Sequence, residues 1–536
     1  RPSDAGGFGD RDESFARAIG EPAVEAPPST LYDTASEAAA ATRVSAPTIL
    51  ATDDPVLHLL RRATWGGTPA LVDEVHEMGI DAWIAQQLDP ESIPDDVADG
   101  VWGQFRMATM SPVDIQRSVE RYAWDAMFEY GKATFARQIW SRRQLYEVMV
   151  DFWANHLNVP VPGPSGWDVG PAYHRDVIRA HALGSFTDML LAAMQHPAML
   201  RYLTNDESDK DSVNENLGRE LLELHTVGVG SGYTELDVRN SAYILTGRSV
   251  ASRVEAMRDG NGMDMDMGMQ MQADATFAYD PAKHWTGPVQ VLDFHDENAS
   301  PEGGFDVGDA YLRHLASHPA TANTIARKLA VRFVSDDPPP ELVERLATAY
   351  LDNGTEITPV LDVLFRSGEL WNAVGQKTRR PLENMVASIR VLDVQPGGDT
   401  PSVLDALYWS THQMGHQPLA WSAPNGYPDV RAAWRSASSL LEIWNAHRGL
   451  VAGWHEGATY VPADQLVAGR PSGTVGEYVD SLCLRLCGQT FQPAHRDVLI
   501  AFVDAGADTP TAQTQMPNLV EGLAPLVLDS PYFALR

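Results

Sequence analysis

"NENLGRELLELHTVGVGSGYTELDVRNSAYILTG", residues 214–247, holds the pattern on which the reading of the fold turns. Leu217, Leu221 and Leu224 recur at helical spacing, and Gly228 and Gly230 end that run. Thr234 opens a second helix with Asp237 three residues on. This is a capping-box-like start in which Asp stands where Glu or Gln is usual.

The same grammar continues outward in both directions. "DPVLHLLRRATWG" (54–66) carries apolar residues at helical spacing and stops at Gly66-Gly67. "TPALVDEVHEMGIDAWIAQQLDP" (68–90) reads as two short helices broken at Gly79 and Pro90. Residues 113–158 read as a long helical stretch with aromatic residues on the buried stripe. "PPPELVERLATAYLD" (338–352) starts a helix with proline in its first turn. Residues 251–310 break the pattern, with a β-prone piece "ATFAYD" at 275–280, and "GHQPLAWSAPNGYPDVRAAW" (415–434) reads as a second polar loop. The expected class is all-α: a large multi-helix fold with long loops and one small β-hairpin near residue 275. Residues 1–50 are expected to form an extended arm and 51–536 a single helical domain, with a core at 55–391 and a helical C-terminal part at 392–536.

The 536 residues include 40 Lys and Arg against 72 Asp and Glu, a net charge of −32. Such a field repels nucleic acid and anionic membranes and is compatible with cations. With 44% hydrophobic residues the chain can bury a substantial core, and no run of 18 apolar residues suggests a membrane span. The Ala-, Pro- and Ser-rich start reads as a processed mature chain, so the expected location is secreted or at the cell-envelope exterior. The only cysteines, Cys483 and Cys487, sit one helical turn apart and read as buried thiols.

Five polar segments carry candidate chemistry. On a continuous helix at roughly 100° per residue, Asn216, Glu220 and Glu223 project within about 60° of one another. Two carboxylates one turn apart can grip a cation or divide acid and base roles, or form a solvated face with a local Glu215–Arg219 ion pair. In "DFWANHLNV" (151–159), Asn155 and His156 fall at a helix end, where the histidine suits a metal ligand, a proton carrier or a cap. His174 and His181 share a helix face but lie two turns apart. "DFHDENAS" (293–300) places His295 beside Asp296, a base and a carboxylate or two ligands. In "GMDMDMGMQMQ" (262–272), Met263, Met265, Met267, Met269 and Met271 alternate strictly, and soft thioethers select Cu(I). An adaptable low-complexity loop is the plainer account of that run. No glycine-rich phosphate loop, Gly-x-Ser-x-Gly elbow or His-Glu-x-x-His helix is present.

An ordered set of segments resembles the bacterial domain-of-unknown-function family numbered 1800: "HLLRRATWGGTP", "FWANHLNV", "HALGSF", "HPAMLRYL", "NENLGRELLELHTVGVGSGYTELDV", "LTGR", "HPATANTIARKLAVRFV" and "RPLENMVASIR". The resemblance implies a helical, usually exported protein whose genes often accompany an exported family resembling sulfatases. It implies no settled activity. The chain departs from it at Glu297-Asn298-Ala299, in the methionine run, and at Gly426-Tyr427-Pro428. The family motifs coincide with the polar segments Asn155-His156, Asn214 to Glu223 and His295-Asp296.

The expectation is therefore an exported metal-dependent enzyme, hydrolytic or oxidative, using a divalent metal ion or copper. Its ligands would come from His156, Asn216, Glu220, Glu223, His295 and Asp296, with Glu220, Glu223, His295 and Asp296 moving protons. A structural or partner-binding protein without turnover and a copper-binding protein using the methionine loop are the alternatives.

Overall fold

The Gln144–His156 helix runs through the centre of the molecule, with Leu145, Val148, Met149 and Trp153 all fully buried. A helix buried on all sides must be apolar nearly all round. Its few polar residues are therefore conspicuous, and they are the ones that matter below. The structure is a computed structural model that describes residues 52–251, 275–461, 465–467, 473–514 and 516–536. The described residues are 61% helical, with only two-stranded sheets among them, so the all-α class holds. The expected arm at 1–50 and the methionine run at 263–271 lie outside the described residues.

The helix signals in the sequence act as local chemistry says they should. Asp54 caps Pro55–Ala63 by accepting from Val56 N at 2.9 Å, and Thr68 caps Pro69–Met78. Gly79 separates that helix from Ile80–Gln87 at a φ of 89°. Thr234 and Asp237 form the reciprocal capping box at the head of Glu235–Leu245. The long helical stretch expected at 113–158 divides into Pro112–Ser118, Asp125–Trp140 and Gln144–His156. The expected hairpin near residue 275 is a pairing of Phe277–Tyr279 with Arg248–Val250, and a second pairs Val289–Val291 with Phe294–Asp296. Gly218 lets Asn216–Glu220 pack directly on Glu235–Leu245, since a Cβ there would meet the backbone of Ala242. Cys483 and Cys487 are free and buried, and burial pushes both thiols up to about 12.

The C-terminal helices close onto this core through Ala437–Val451, which packs on Pro381–Val391 and on Met516–Leu528. Beneath that closure lies a buried lattice of charges. Glu383 accepts from Arg332, from Arg380 at 3.2 Å and from Arg536 at 3.2 Å. Arg380 also donates to Asp151 of the central helix at 2.7 Å. Asp429 meets Lys377 at 3.2 Å, Arg536 at 3.4 Å and Arg332 at 3.6 Å, and Lys377 meets Asp336 at 2.7 Å. Burial alone would raise the Glu383 carboxyl, but Arg332, Arg536 and Arg380 outweigh it and hold it well below the usual range. Glu383→Gln removes the charge these guanidinium groups share and leaves them buried without it. Urea denaturation should show a loss of about 3–5 kcal/mol.

Candidate functional site

The run 214–225 is not one α-helix. Asn216–Glu220 is α-helical, and Leu221–His225 continues as a π-helical turn. The wider turn changes the angular phase, so the single acidic face expected from a continuous α-helix is redistributed. Such turns recur at functional sites, and this one sorts its polar residues into an inward and an outward set.

Inward, His225 meets His156 in a reciprocal pair. His156 Nε2 lies 3.0 Å from the His225 carbonyl, and His225 Nδ1 lies 2.9 Å from the His156 carbonyl. The Lys328 ammonium donates to His156 Nδ1 at 2.9 Å and to the Leu224 carbonyl at 3.3 Å. Because Nδ1 accepts, the proton of a neutral His156 must sit on Nε2. Burial, then the Lys328 charge, holds His156 well below its ordinary pKa, and burial lowers His225 to about 4. Burial also lowers Lys328 to about 8. His225 Nε2 is buried without a partner. Both nitrogens of His156 are engaged, so in this arrangement it serves as a clamp on the turn and offers no lone pair to a metal.

Outward, the turn presents Glu220 and Glu223, both half-buried. Glu223 faces Arg219 at 3.7 Å and bonds the Tyr233 hydroxyl, which burial and Glu223 push up to about 12. Arg219 is tied more closely to Glu235, at 2.7 Å. Among the described residues no hydrogen bond or ion pair reaches the Glu220 carboxylate, and Arg219 acts on it only through its charge. Burial, then the Glu223 charge, raises its pKa above the usual carboxylate range. Tyr202 is close enough to feel that charge, and its hydroxyl donates to the Ser422 carbonyl at 2.7 Å.

The polar loop at 415–434 crosses the end of the central helix beside this turn. Asn155 Oδ1 accepts from Tyr427 N at 2.8 Å, and Asn158 Nδ2 donates to the carbonyls of Trp421 and Ala423 at 2.8 and 2.6 Å. Gly426, at a φ of 68°, rests against the Asn155 carbonyl, where any Cβ would collide.

The other expected contributors stand apart. Asn216 is exposed, and its amide donates to Thr204 Oγ1 at 3.2 Å in a cap shared with Asn214. His295 is exposed on the second hairpin, opposite Gln290. Asp296 turns the chain by accepting from Asn298 N at 2.6 Å, and buried Asn298 in turn bonds His284 Nε2 at 2.8 Å. No hydrogen bond or ion pair joins His295 or Asp296 to the turn among the described residues, so the expected meeting of all three segments does not form. His174 is buried and bonds the Val159 carbonyl at 2.9 Å, away from His181. Among the described residues no three His, Cys, Asp or Glu side chains converge to hold a metal. Lys328 and His225 were not singled out from the sequence: each lies in a quoted segment, but nothing in either segment indicates the other.

His225 and His156 are neutral when folded and protonate readily when unfolded. Their contribution is intact above pH 6.5 and is lost as pH falls through the lowered folded values. His225→Phe should flatten the dependence of unfolding free energy on pH between 6.5 and about 4, by up to about 1.4 kcal/mol per pH unit. Denaturation series at several pH values measure it.

The family described as "Protein of unknown function (DUF1800)" matches residues 58–535, nearly the whole chain. No curated protein and no solved structure matches it.

Proposed function

The chain belongs to the DUF1800 family, and we propose that it is an exported enzyme whose reaction centres on Glu220 and Glu223 and uses a hard divalent cation to activate water. Glu220 carries this reading. It is a half-buried carboxylate with no hydrogen bond and no ion pair among the described residues, set beside a second carboxylate. Leaving a desolvated carboxylate unpaired costs stability. Neighbours that pair Glu223 but not Glu220 are the kind of asymmetry that divides two carboxylates between different roles.

An all-oxygen donor pair suits magnesium-like ions, which take one or two carboxylates and complete their shell with water or substrate. That favours hydrolysis over oxidation, because both nitrogens of His156 are engaged elsewhere. Such an ion would acidify a bound water, and Glu220 would exchange its proton.

Mn²⁺ titration followed by calorimetry tests the centre. One ion should bind, and binding should strengthen as pH rises, because Glu220 must first release its proton. Glu220→Gln should weaken binding at least about tenfold, the loss of one charged ligand, while thermal melting stays near the wild-type value. No Mn²⁺ uptake, or equal uptake by the variant, removes the proposal.

The alternative, a copper-binding protein without turnover, rests on the sequence of Met263, Met265, Met267, Met269 and Met271, which lie outside the described residues. Deletion of residues 262–272 should abolish Cu(I) binding, read by competition with a chromogenic chelator. Unchanged affinity excludes the run.

A further inference from the structure

"TRRP", residues 378–381, sends two adjacent arginines to different surroundings. Arg380 enters the buried lattice. Arg379 borders a cleft of about 160 Å³ between Pro381–Val391, Ala437–Val451 and the segment 431–436. Arg431 and Arg435 line the same cleft. None of these three guanidinium groups has a carboxylate or hydrogen-bond partner among the described residues. Arg379 rests over the Phe533 ring at 4.6 Å, and its Nη1 is buried with no acceptor. The one carboxylate among the lining residues, Asp529, is engaged with His447 Nδ1 at 2.6 Å. His447 Nε2 is held in turn by Asn384 at 2.7 Å.

Arg431 and Arg435 are exposed at the cleft mouth and Arg379 is half-buried, so three like charges gather without a carboxylate between them. Acidic residues outnumber basic ones 72 to 40, so carboxylate partners are plentiful. A second cleft, of about 200 Å³, shares Arg379 and makes the contrast. There the other two arginines bond carbonyls, Arg61 that of Cys487 and Arg485 that of Val391. The first cleft adds Arg431 and Arg435 to Arg379, and neither guanidinium has an acceptor among the described residues. Its walls are also prepared for a flat apolar body. Trp434 is pinned by stacking on His416 at 4.5 Å and by donating to the Pro428 carbonyl at 2.9 Å, and Trp444 faces the same space.

We propose that this cleft binds a small organic anion, a carboxylate or phosphate or sulfate ester on a single ring, with Arg379, Arg431 and Arg435 holding the anionic group and Trp434 and Trp444 flanking the ring. The guanidinium fork matches such oxyanions in pairs of hydrogen bonds. A cavity on the order of 150 Å³ accommodates one benzene-sized ring. Burial, then repulsion from Arg61, lowers Arg379 to about 9, and a bound anion would relieve that cost. The site is independent of Glu220 and Glu223.

Calorimetry with phenyl phosphate, benzoate, inorganic phosphate and benzyl alcohol tests it. Measurements belong near 0.15 M salt, where a Debye length of about 8 Å screens the overall negative field but not the contacts. Phenyl phosphate or benzoate should bind saturably at one site, inorganic phosphate more weakly, and benzyl alcohol not at all. The stronger of the two aryl anions identifies the head group. Arg379→Met and, independently, the exposed Arg435→Ala should each weaken aryl-anion binding about tenfold. Arg435 makes no contact that the fold needs, so its variant remains informative if the Arg379 variant misfolds. No saturable binding of either aryl anion, or undiminished binding to Arg435→Ala and to a folded Arg379→Met, overturns the proposal. Equal binding of inorganic phosphate and phenyl phosphate overturns the role given to the ring.

Discussion

Glu383 takes charge from three arginines that arrive from three parts of the chain. Arg332 ends one helix, Arg380 caps the helix that carries Glu383, and Arg536 comes from the far end of the sequence. Asp151 and Asp429 extend the contact to the central helix and to the polar loop. Each charge is desolvated, so each depends on the others remaining in place. Moving any one of these segments would strand a buried ion. The lattice therefore fixes the end of the central helix relative to the loop that crosses it, and with them the ground on which the π turn stands. It fixes Arg379 as well, since the residue beside it in sequence is bound into the lattice.

The π turn makes use of that rigidity. One side of it is clamped by the reciprocal His156–His225 pair and by Lys328, three groups that share hydrogen bonds without a net buried anion. With its inward side held, its outward side can carry Glu220 without a partner. The clamp is built from neutral imidazoles and one weakened ammonium, so it holds best near and above neutral pH. Acid would loosen the turn before it disturbed the lattice, whose Glu383 is stabilised far below the ordinary carboxylate range.

The helices were legible in the sequence because their signals are local. Thr234 with Asp237, Asp54 before Pro55, and Gly79 between two apolar runs each act within one turn of themselves. The site was legible only in part. The expected acidic face rested on an unbroken α-helix, and the π turn changes its phase. Glu220 and Glu223 still reach the surface, but Asn216 joins Thr204 in a separate cap. At a helix end His156 suits a metal ligand, a proton carrier or a cap alike, and the partners that decide its role stand 69 and 172 positions away. His295-Asp296 looks like chemistry because the pair is polar and adjacent, whereas Asp296 turns the chain after the second hairpin. Pairings at such separations leave no trace in the spacing of either segment, so Lys328, His225 and the whole of the lattice escaped it.

Glu220 and Arg379 both lie outside that lattice. The lattice shows that this chain readily finds partners for desolvated ions, even across hundreds of residues, as Arg380 does for Asp151. Glu220 and Arg379 are each close to such opportunities and take none of them. Arg219 lies next to Glu220 in sequence yet turns to Glu223 and Glu235, and the Asp529 beside Arg379 is held by His447. Desolvating a charge without a partner lowers stability, so folding alone gives no reason to keep either residue in that state. A partner that arrives after folding does give one. An unpaired carboxylate suits a cation and unpaired guanidinium groups suit an anion, so the two proposed sites would take ligands of opposite sign.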